Sequence, residues 1–167
     1  MRTHPDHLSA RRMCAGLAAG TIGGLAGAWA MARFQALARR AEQRLAAEPS
    51  EDGSSEREPA SPVANAVRDR ALTERGARTG VHYGFGTAVG ALYGALSEIV
   101  PGLSAWAGVP FGAGLWLSSS KILVPAQALA PPPEEVPERE HGSAFAAHMV
   151  YAVTAETLRR ALRGAPR

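Results

Sequence analysis

The chain has 167 residues, enough for one small domain, and its net charge of +3 comes from arginine, since Lys121 is the only lysine. The arginines flank apolar runs and do not alternate with aromatic residues on an open face, so we expect no nucleic-acid partner. Cys14 is the only cysteine, which excludes an internal disulfide. Mean hydropathy is only −0.09, but the charges are concentrated between long uncharged runs.

Residues 1–12 are a polar tail, and residues 13–33 are the first predicted transmembrane helix. Twenty uncharged residues at ~1.5 Å each span roughly 30 Å, the thickness of the hydrocarbon core. In this run Gly16, Gly20 and Gly24 recur every four residues, a spacing that lets two helix backbones approach closely in lipid. A cleaved export signal is the alternative, but the run is longer than a usual signal core, so we favour a retained helix.

Residues 34–78 are predicted to be an amphipathic and flexible polar linker. Apolar residues recur at helical spacing up to Ala47, which predicts an amphipathic extension at the headgroups. Residues 48–62 are rich in Ser, Glu and Pro and predict a flexible segment. A short polar helix is expected over 61–77, with Ser61 as a possible N-cap and Pro62 at its first position.

Residues 79–100 are the second predicted transmembrane helix, and Gly86, Gly90 and Gly94 repeat the four-residue spacing. So many glycines would weaken a soluble helix, whereas in lipid they favour close packing. The third predicted span is 103–124, in which Pro110 should introduce a kink.

The last predicted elements are a Pro/Glu-rich loop at 125–141, a fourth span at 142–160 and a basic tail at 161–167. The fourth span is short, and an interfacial helix is its alternative. The predicted fold class is therefore all-α: an integral membrane bundle of four transmembrane helices, with an amphipathic and disordered linker between the first two.

A set of residues from His82 onward occurs in an order that is typical of a known family. These residues are His82, Gly90, Tyr93, Gly94, Glu98, Pro101, Trp116, Pro125, the ALAPPP segment at 128–133, His148, Glu156, Arg159 and Arg160. On them the chain resembles the YagU-like family of uncharacterised bacterial inner-membrane proteins. The resemblance covers about residues 80–163, and the long polar linker departs from the family pattern. It implies a multi-pass membrane protein of the bacterial inner membrane with no established reaction; with the acid-free C-terminal tail, it favours cytoplasmic termini.

Six ionisable residues within or beside the predicted spans form a candidate intramembrane polar network: His82, Glu98, Lys121, His148, Glu156 and Arg159. Antiparallel threading places the two histidines and the lysine in one half of the bilayer, and the two glutamates and the arginine in the other. Such groups are expensive in hydrocarbon, so they tend to face partners or water. They either form a proton or ion path or pair structurally, Glu156 with an arginine three or four residues on.

The sequence offers little support for bound groups or catalysis. Imidazoles such as His82 and His148 on facing helices can be axial haem ligands, but nothing else supports a haem, so no cofactor is expected. We expect no metal site, and no nucleophile and base are recognisable, so we expect no enzyme.

The leading functional hypothesis is a scaffold or subunit that works through glycine-striped helix packing, although the stripe of the first helix could equally pack against the second helix of the same chain. Its expected partners are the lipid bilayer and either copies of itself or a larger membrane complex. The alternative hypothesis is a proton- or ion-conducting channel or transporter built on the intramembrane histidines and glutamates.

Overall fold

The computed structural model describes residues 5–46, 62–119 and 138–164. These residues form four α-helices and one 3₁₀ segment and contain no strand, so the predicted all-α class is confirmed for them. Lys121 and the predicted loop up to residue 137 lie outside the described residues. The elements are α1 (Pro5–Ala46), α2 (Pro62–Leu96), the 3₁₀ segment (Pro101–Gly108), α3 (Val109–Ser118) and α4 (Glu138–Arg163).

Helix α1 runs without a break through the first predicted span and the amphipathic extension that follows it. Its 42 residues give a length of about 63 Å at 1.5 Å per residue. Among the helices of the described part, one has the length and composition of a membrane span, and it is α1 over Ala10–Leu45. The multi-pass bundle of four such spans therefore stays a prediction.

Helix α2 joins the predicted polar helix and the predicted second span into one element of 35 residues. It starts at Pro62, where the fixed φ of proline suits the first helical position; Ser61, the predicted N-cap, lies outside the described residues. It ends at Leu96 and not at residue 100 as predicted. Val100 is not helical, with φ −119° and ψ 86°, because the following proline disfavours the helical conformation in the residue before it.

The predicted continuous third helix over 103–124 is wrong at its start. Trp106, Ala107 and Gly108 have φ values of 45°, 56° and 83°, and this left-handed turn ends the 3₁₀ segment before a new helix begins. Pro110 does not kink a helix, as predicted, but lies in the first turn of α3, where its missing N–H has no intrahelical partner to lose. Helix α3 has 10 residues, about 15 Å, roughly half of a hydrocarbon core.

Glycines bring α1 against two neighbouring helices. A Cβ added to Gly20 would lie 2.2 Å from the carbonyl oxygen of Gly90, and one added to Gly24 would lie 2.6 Å from that of Gly86. A second pair of glycines, Gly23 and Gly27, faces α4. A Cβ on Gly23 would lie 2.6 Å from the carbonyl oxygen of Ala155. Helix α1 therefore lies in backbone contact with both α2 and α4.

Helix α4 includes residues on both sides of the predicted fourth span, and Gly164, with φ 58°, follows its end in the conformation common after helices. Helix α3 packs on α4 where Gly112 lies against Ala152 and Met149. The core of this small bundle is made of alanines and glycines together with two tyrosines. The buried apolar side chains are Ala19, Ala28, Tyr93, Ala147, Tyr151, Ala152 and Ala155.

Candidate functional site

Glu156 of α4 is the centre of a buried ionic cluster. Its side chain is fully buried, and each carboxylate oxygen accepts two hydrogen bonds. Oε2 accepts from the Tyr93 hydroxyl at 2.7 Å and from Arg159 Nε at 2.6 Å. Oε1 accepts from Arg159 Nη2 at 2.9 Å and from Arg160 Nε at 2.5 Å. The bidentate pair with Arg159 and the two further donors, Tyr93 and Arg160, leave this carboxylate fully hydrogen-bonded.

A second carboxylate, that of Glu98 just after the end of α2, extends the cluster to the end of α4. Arg163 donates to it from Nε at 2.9 Å and from Nη2 at 2.8 Å. Arg159 Nη1 lies 3.5 Å from Glu98 Oε1, so this guanidinium contacts both glutamates. Arg160 also donates to the carbonyl oxygen of Ser104, in the 3₁₀ segment. The cluster thus ties three elements together: α4, the 3₁₀ segment and the end of α2.

Two glycines leave room for the carboxylates. A Cβ on Gly16 of α1 would lie 2.7 Å from Glu98 Cγ, and one on Gly108 would lie 3.2 Å from Glu156 Cβ. Three guanidiniums and two carboxylates leave the cluster with one net positive charge. Because burying a charge is expensive unless it is paired and hydrogen-bonded, this pairing is what allows Glu156 and Arg159 to be buried here.

Replacing Gly108 with alanine is expected to destabilise the fold. Its φ of +83° is costly for a residue with a Cβ, by roughly 1–2 kcal/mol, and the new methyl would press on Glu156. Thermal unfolding in mild detergent measures the effect. Gly114→Ala, on the exposed side of α3 with no atom within 4 Å of the new Cβ, is the control and should unfold no earlier than wild type. Equal losses in both variants would contradict the role of the left-handed turn.

The two histidines lie together in a different layer of the bundle. His82 Nε2 is 3.1 Å from the carbonyl oxygen of Ala28. His148 Nδ1 is 2.8 Å from that of Ala144, and its Nε2 is 3.3 Å from the hydroxyl of Ser119. Both rings line one cavity of about 110 Å³, together with Ala28, Met31, Phe85, Gly86, Val89, Leu115 and Tyr151.

A row of aromatic rings lies between the histidine cavity and the ionic cluster. Phe111 stacks on Tyr93 with ring centroids 4.1 Å apart and lies 6.3 Å from the ring of Tyr151. Tyr151, which lines the cavity, donates its hydroxyl proton to the carbonyl oxygen of Gly86 at 2.6 Å. The apolar ring of Phe111 therefore separates the two polar layers.

The histidine cavity does not suit a haem. Its volume of about 110 Å³ is too small for the macrocycle, and both ring nitrogens of His148 already have polar neighbours. Across the described ranges, no group of three or more His, Cys, Asp or Glu side chains is arranged to hold a metal ion.

The structure brings together three of the six predicted polar residues, Glu98, Glu156 and Arg159, and separately brings His82 to His148. Lys121 lies outside the described residues. Sequence reasoning missed Arg163 by assigning it to the basic tail, although it lies one turn after Arg159 on the same side of the helix. Tyr93 is among the residues that carry the family resemblance, but the sequence predicted no role for it.

Comparison with known proteins places part of the chain in a family. The model of a family described as "Protein of unknown function (DUF1440)" matches residues 67–157, just over half of the chain. No curated protein matches the chain. No solved structure matches it either. The matched range includes Tyr93, Glu98 and Glu156 and ends shortly before the three arginines of the ionic cluster. The expectation of an uncharacterised family is confirmed. The chain belongs to the DUF1440 family of proteins of unknown function.

Proposed function

We propose that the chain is a non-enzymatic, multi-pass membrane protein that serves as a compact scaffold or subunit. The observation that carries this proposal is the inverted distribution of side chains. Glu156 and Arg159 are 0% and 8% exposed, whereas Trp29 is 54% exposed. Large apolar side chains lie on the outside of the bundle while this ion pair lies inside it, an arrangement that suits surrounding acyl chains better than water.

The apolar exterior is formed by residues 17–29 of α1 and 81–96 of α2. On α1, Ile22, Leu25 and Trp29 lie opposite the glycines that contact α2 and α4, and Leu17 lies beside them. On α2 the same division holds. These outward-facing side chains are Leu17, Ile22, Leu25 and Trp29 on α1, and Val81, Phe85, Leu92 and Leu96 on α2.

The contact surface for a partner is this outer face. The sequence left open whether the glycine stripes take that role or pack within the chain, and in the structure Gly20 and Gly90 contact each other within one chain. Their use inside the bundle, with the fully paired ionic cluster, makes a stiff unit. A stiff unit with an apolar perimeter can join copies of itself or other membrane helices.

The proposed location is the bacterial inner membrane, with cytoplasmic termini. It is supported by the resemblance to YagU-like proteins on residues such as His82, Glu98 and Glu156, and by the length and composition of α1 over Ala10–Leu45.

Membrane integration is tested by washing membranes from expressing cells with alkaline carbonate and then with detergent. We expect the chain to stay in the carbonate pellet and to enter the supernatant only with detergent. A chain that is found in the high-speed supernatant before any detergent is added would overturn the proposal.

Assembly is tested by measuring the mass of the purified protein in mild detergent. We expect a wild-type mass above that of one chain, and a fall toward one chain in Leu25→Ala/Trp29→Ala, which trims the exposed face of α1. Leu45→Ala, on an exposed residue at the polar end of α1, is the matched control and should keep the wild-type mass. A wild-type protein that is strictly monomeric and holds no other protein would contradict the scaffold role.

A proton or ion path is the second candidate, and the cavity shared by His82 and His148 favours it. Against it, Phe111 separates the cavity from Glu156, whose oxygens are fully engaged. Flux into proteoliposomes decides between the two functions. Conduction requires a wild-type flux that His148→Ala and Glu98→Gln abolish, whereas the scaffold role predicts no flux above that of empty liposomes.

A further inference from the structure

A wide basic cleft opens between α1 and α2 beyond the last glycine contact. Its volume is about 790 Å³. Three arginines line it, Arg39 from α1 and Arg75 and Arg78 from α2, and the amide of Gln35 and the hydroxyl of Thr79 add further polar groups. Within the described part of the chain, no carboxylate is among its lining residues.

The nearest acids on the two helices do not neutralise the cleft. Glu74 lies 3.3 Å from Arg70, with which it forms an exposed ion pair, and Glu42 lies one turn beyond Arg39 outside the lining. Three guanidiniums that line one cleft from two helices offer planar donors that match phosphate oxygens.

The position of the cleft points to a lipid as the source of the phosphate. It lies where the apolar exterior of both helices gives way to charged residues, at the level where headgroups would lie around the bundle. His82 lines both the cleft and the mainly apolar cavity below it, so the two spaces adjoin. The exposed Val81 and Phe85 continue the apolar surface from the cleft toward the middle of α2.

We propose that this cleft binds the phosphate headgroup of an anionic phospholipid, whose acyl chains lie along the apolar faces of α1 and α2. The inference rests on the proposed membrane location. Arg39, Arg75 and Arg78 hold the phosphate, and Gln35 is placed to donate to the glycerol or headgroup oxygens.

Native mass spectrometry of the full chain in nonionic detergent tests the proposal, with phosphatidylglycerol and phosphatidylcholine as probes. We expect wild type to retain phosphatidylglycerol and to bind phosphatidylcholine far more weakly. Arg75→Gln/Arg78→Gln should weaken phosphatidylglycerol binding by roughly 25-fold, since each arginine near an anionic headgroup contributes roughly fivefold. The control Arg40→Gln/Arg44→Gln removes the same charge from exposed positions of α1 outside the cleft and should keep wild-type binding.

Equal retention of the two lipids, or an equal loss of binding in both double variants, would overturn the proposal. Displacement of phosphatidylglycerol by millimolar inorganic phosphate would also overturn it, because it would assign the cleft to a free anion. The carbonate wash separates this result from the membrane assignment. A chain that stays in the pellet but shows no lipid preference refutes the cleft alone. Unchanged thermal unfolding of Arg75→Gln/Arg78→Gln shows that a loss of binding is not a loss of fold.

Discussion

Replacing Glu156 with alanine is expected to lower the free energy of unfolding by about 3–5 kcal/mol, the range for breaking a buried ion pair by removing one partner. The substitution leaves the guanidinium of Arg159 buried, with Glu98 at 3.5 Å as its remaining carboxylate neighbour. It also removes the acceptor of the Tyr93 hydroxyl. Thermal and denaturant unfolding in mild detergent measure the loss.

Two further variants make this result specific. Glu74→Ala is the same kind of substitution in an exposed ion pair, the one that Glu74 forms with Arg70. It should change the free energy of unfolding by less than about 1 kcal/mol. Glu156→Gln keeps an acceptor for Tyr93 but loses the charge, so it should fall between Glu156→Ala and wild type. If Glu156→Ala and Glu74→Ala unfold alike, the buried cluster is not what holds α4 in place.

Replacing Gly90 with alanine is expected to destabilise the bundle by about 1–3 kcal/mol through overpacking. The added Cβ would lie 2.4 Å from the Cα of Gly24 and 2.6 Å from the carbonyl oxygen of Gly20, so a backbone has to move. Gly84 lies on the same helix and has no atom within 4 Å of an added Cβ. Gly84→Ala should therefore stabilise α2 by about 0.5–1 kcal/mol, since alanine is the better helix former.

The opposite signs of these two changes are the test. Thermal unfolding in one detergent, followed by circular dichroism, compares Gly90→Ala, Gly84→Ala and wild type. A Gly90→Ala protein as stable as the Gly84→Ala protein would show that α1 and α2 do not meet at these glycines.

Regular spacing along one helix is the part of this molecule that could be predicted from the sequence. Gly16, Gly20 and Gly24 share a face because four residues make about one turn, and Glu156 reaches Arg159 and Arg160 for the same reason. Spacing does not reveal which other helix a face meets. For this reason the stripe of α1 could be read equally as a surface for another chain or for α2.

Contacts that depend on chain reversals could not be predicted in the same way. Arg163 pairs with Glu98, 65 residues earlier, only because α4 lies beside the end of α2. The left-handed conformations of Trp106 and Ala107 carry little sequence signal, since neither residue is one that favours positive φ. Pro101 biases Val100 away from the helix, but it does not signal the end of α2 at Leu96, four residues before the predicted end.

Helix α1 lies before the region that the family model matches, yet it supplies one side of the glycine contacts with both α2 and α4. Without α1, the region that the family model matches would leave the glycine face of α2 at Gly86, Gly90 and Gly94 with no helix packed against it. A chain cut between residues 47 and 61 and expressed as two fragments should therefore reassemble, because shape fit between the pieces, and not the peptide link, selects the docking position.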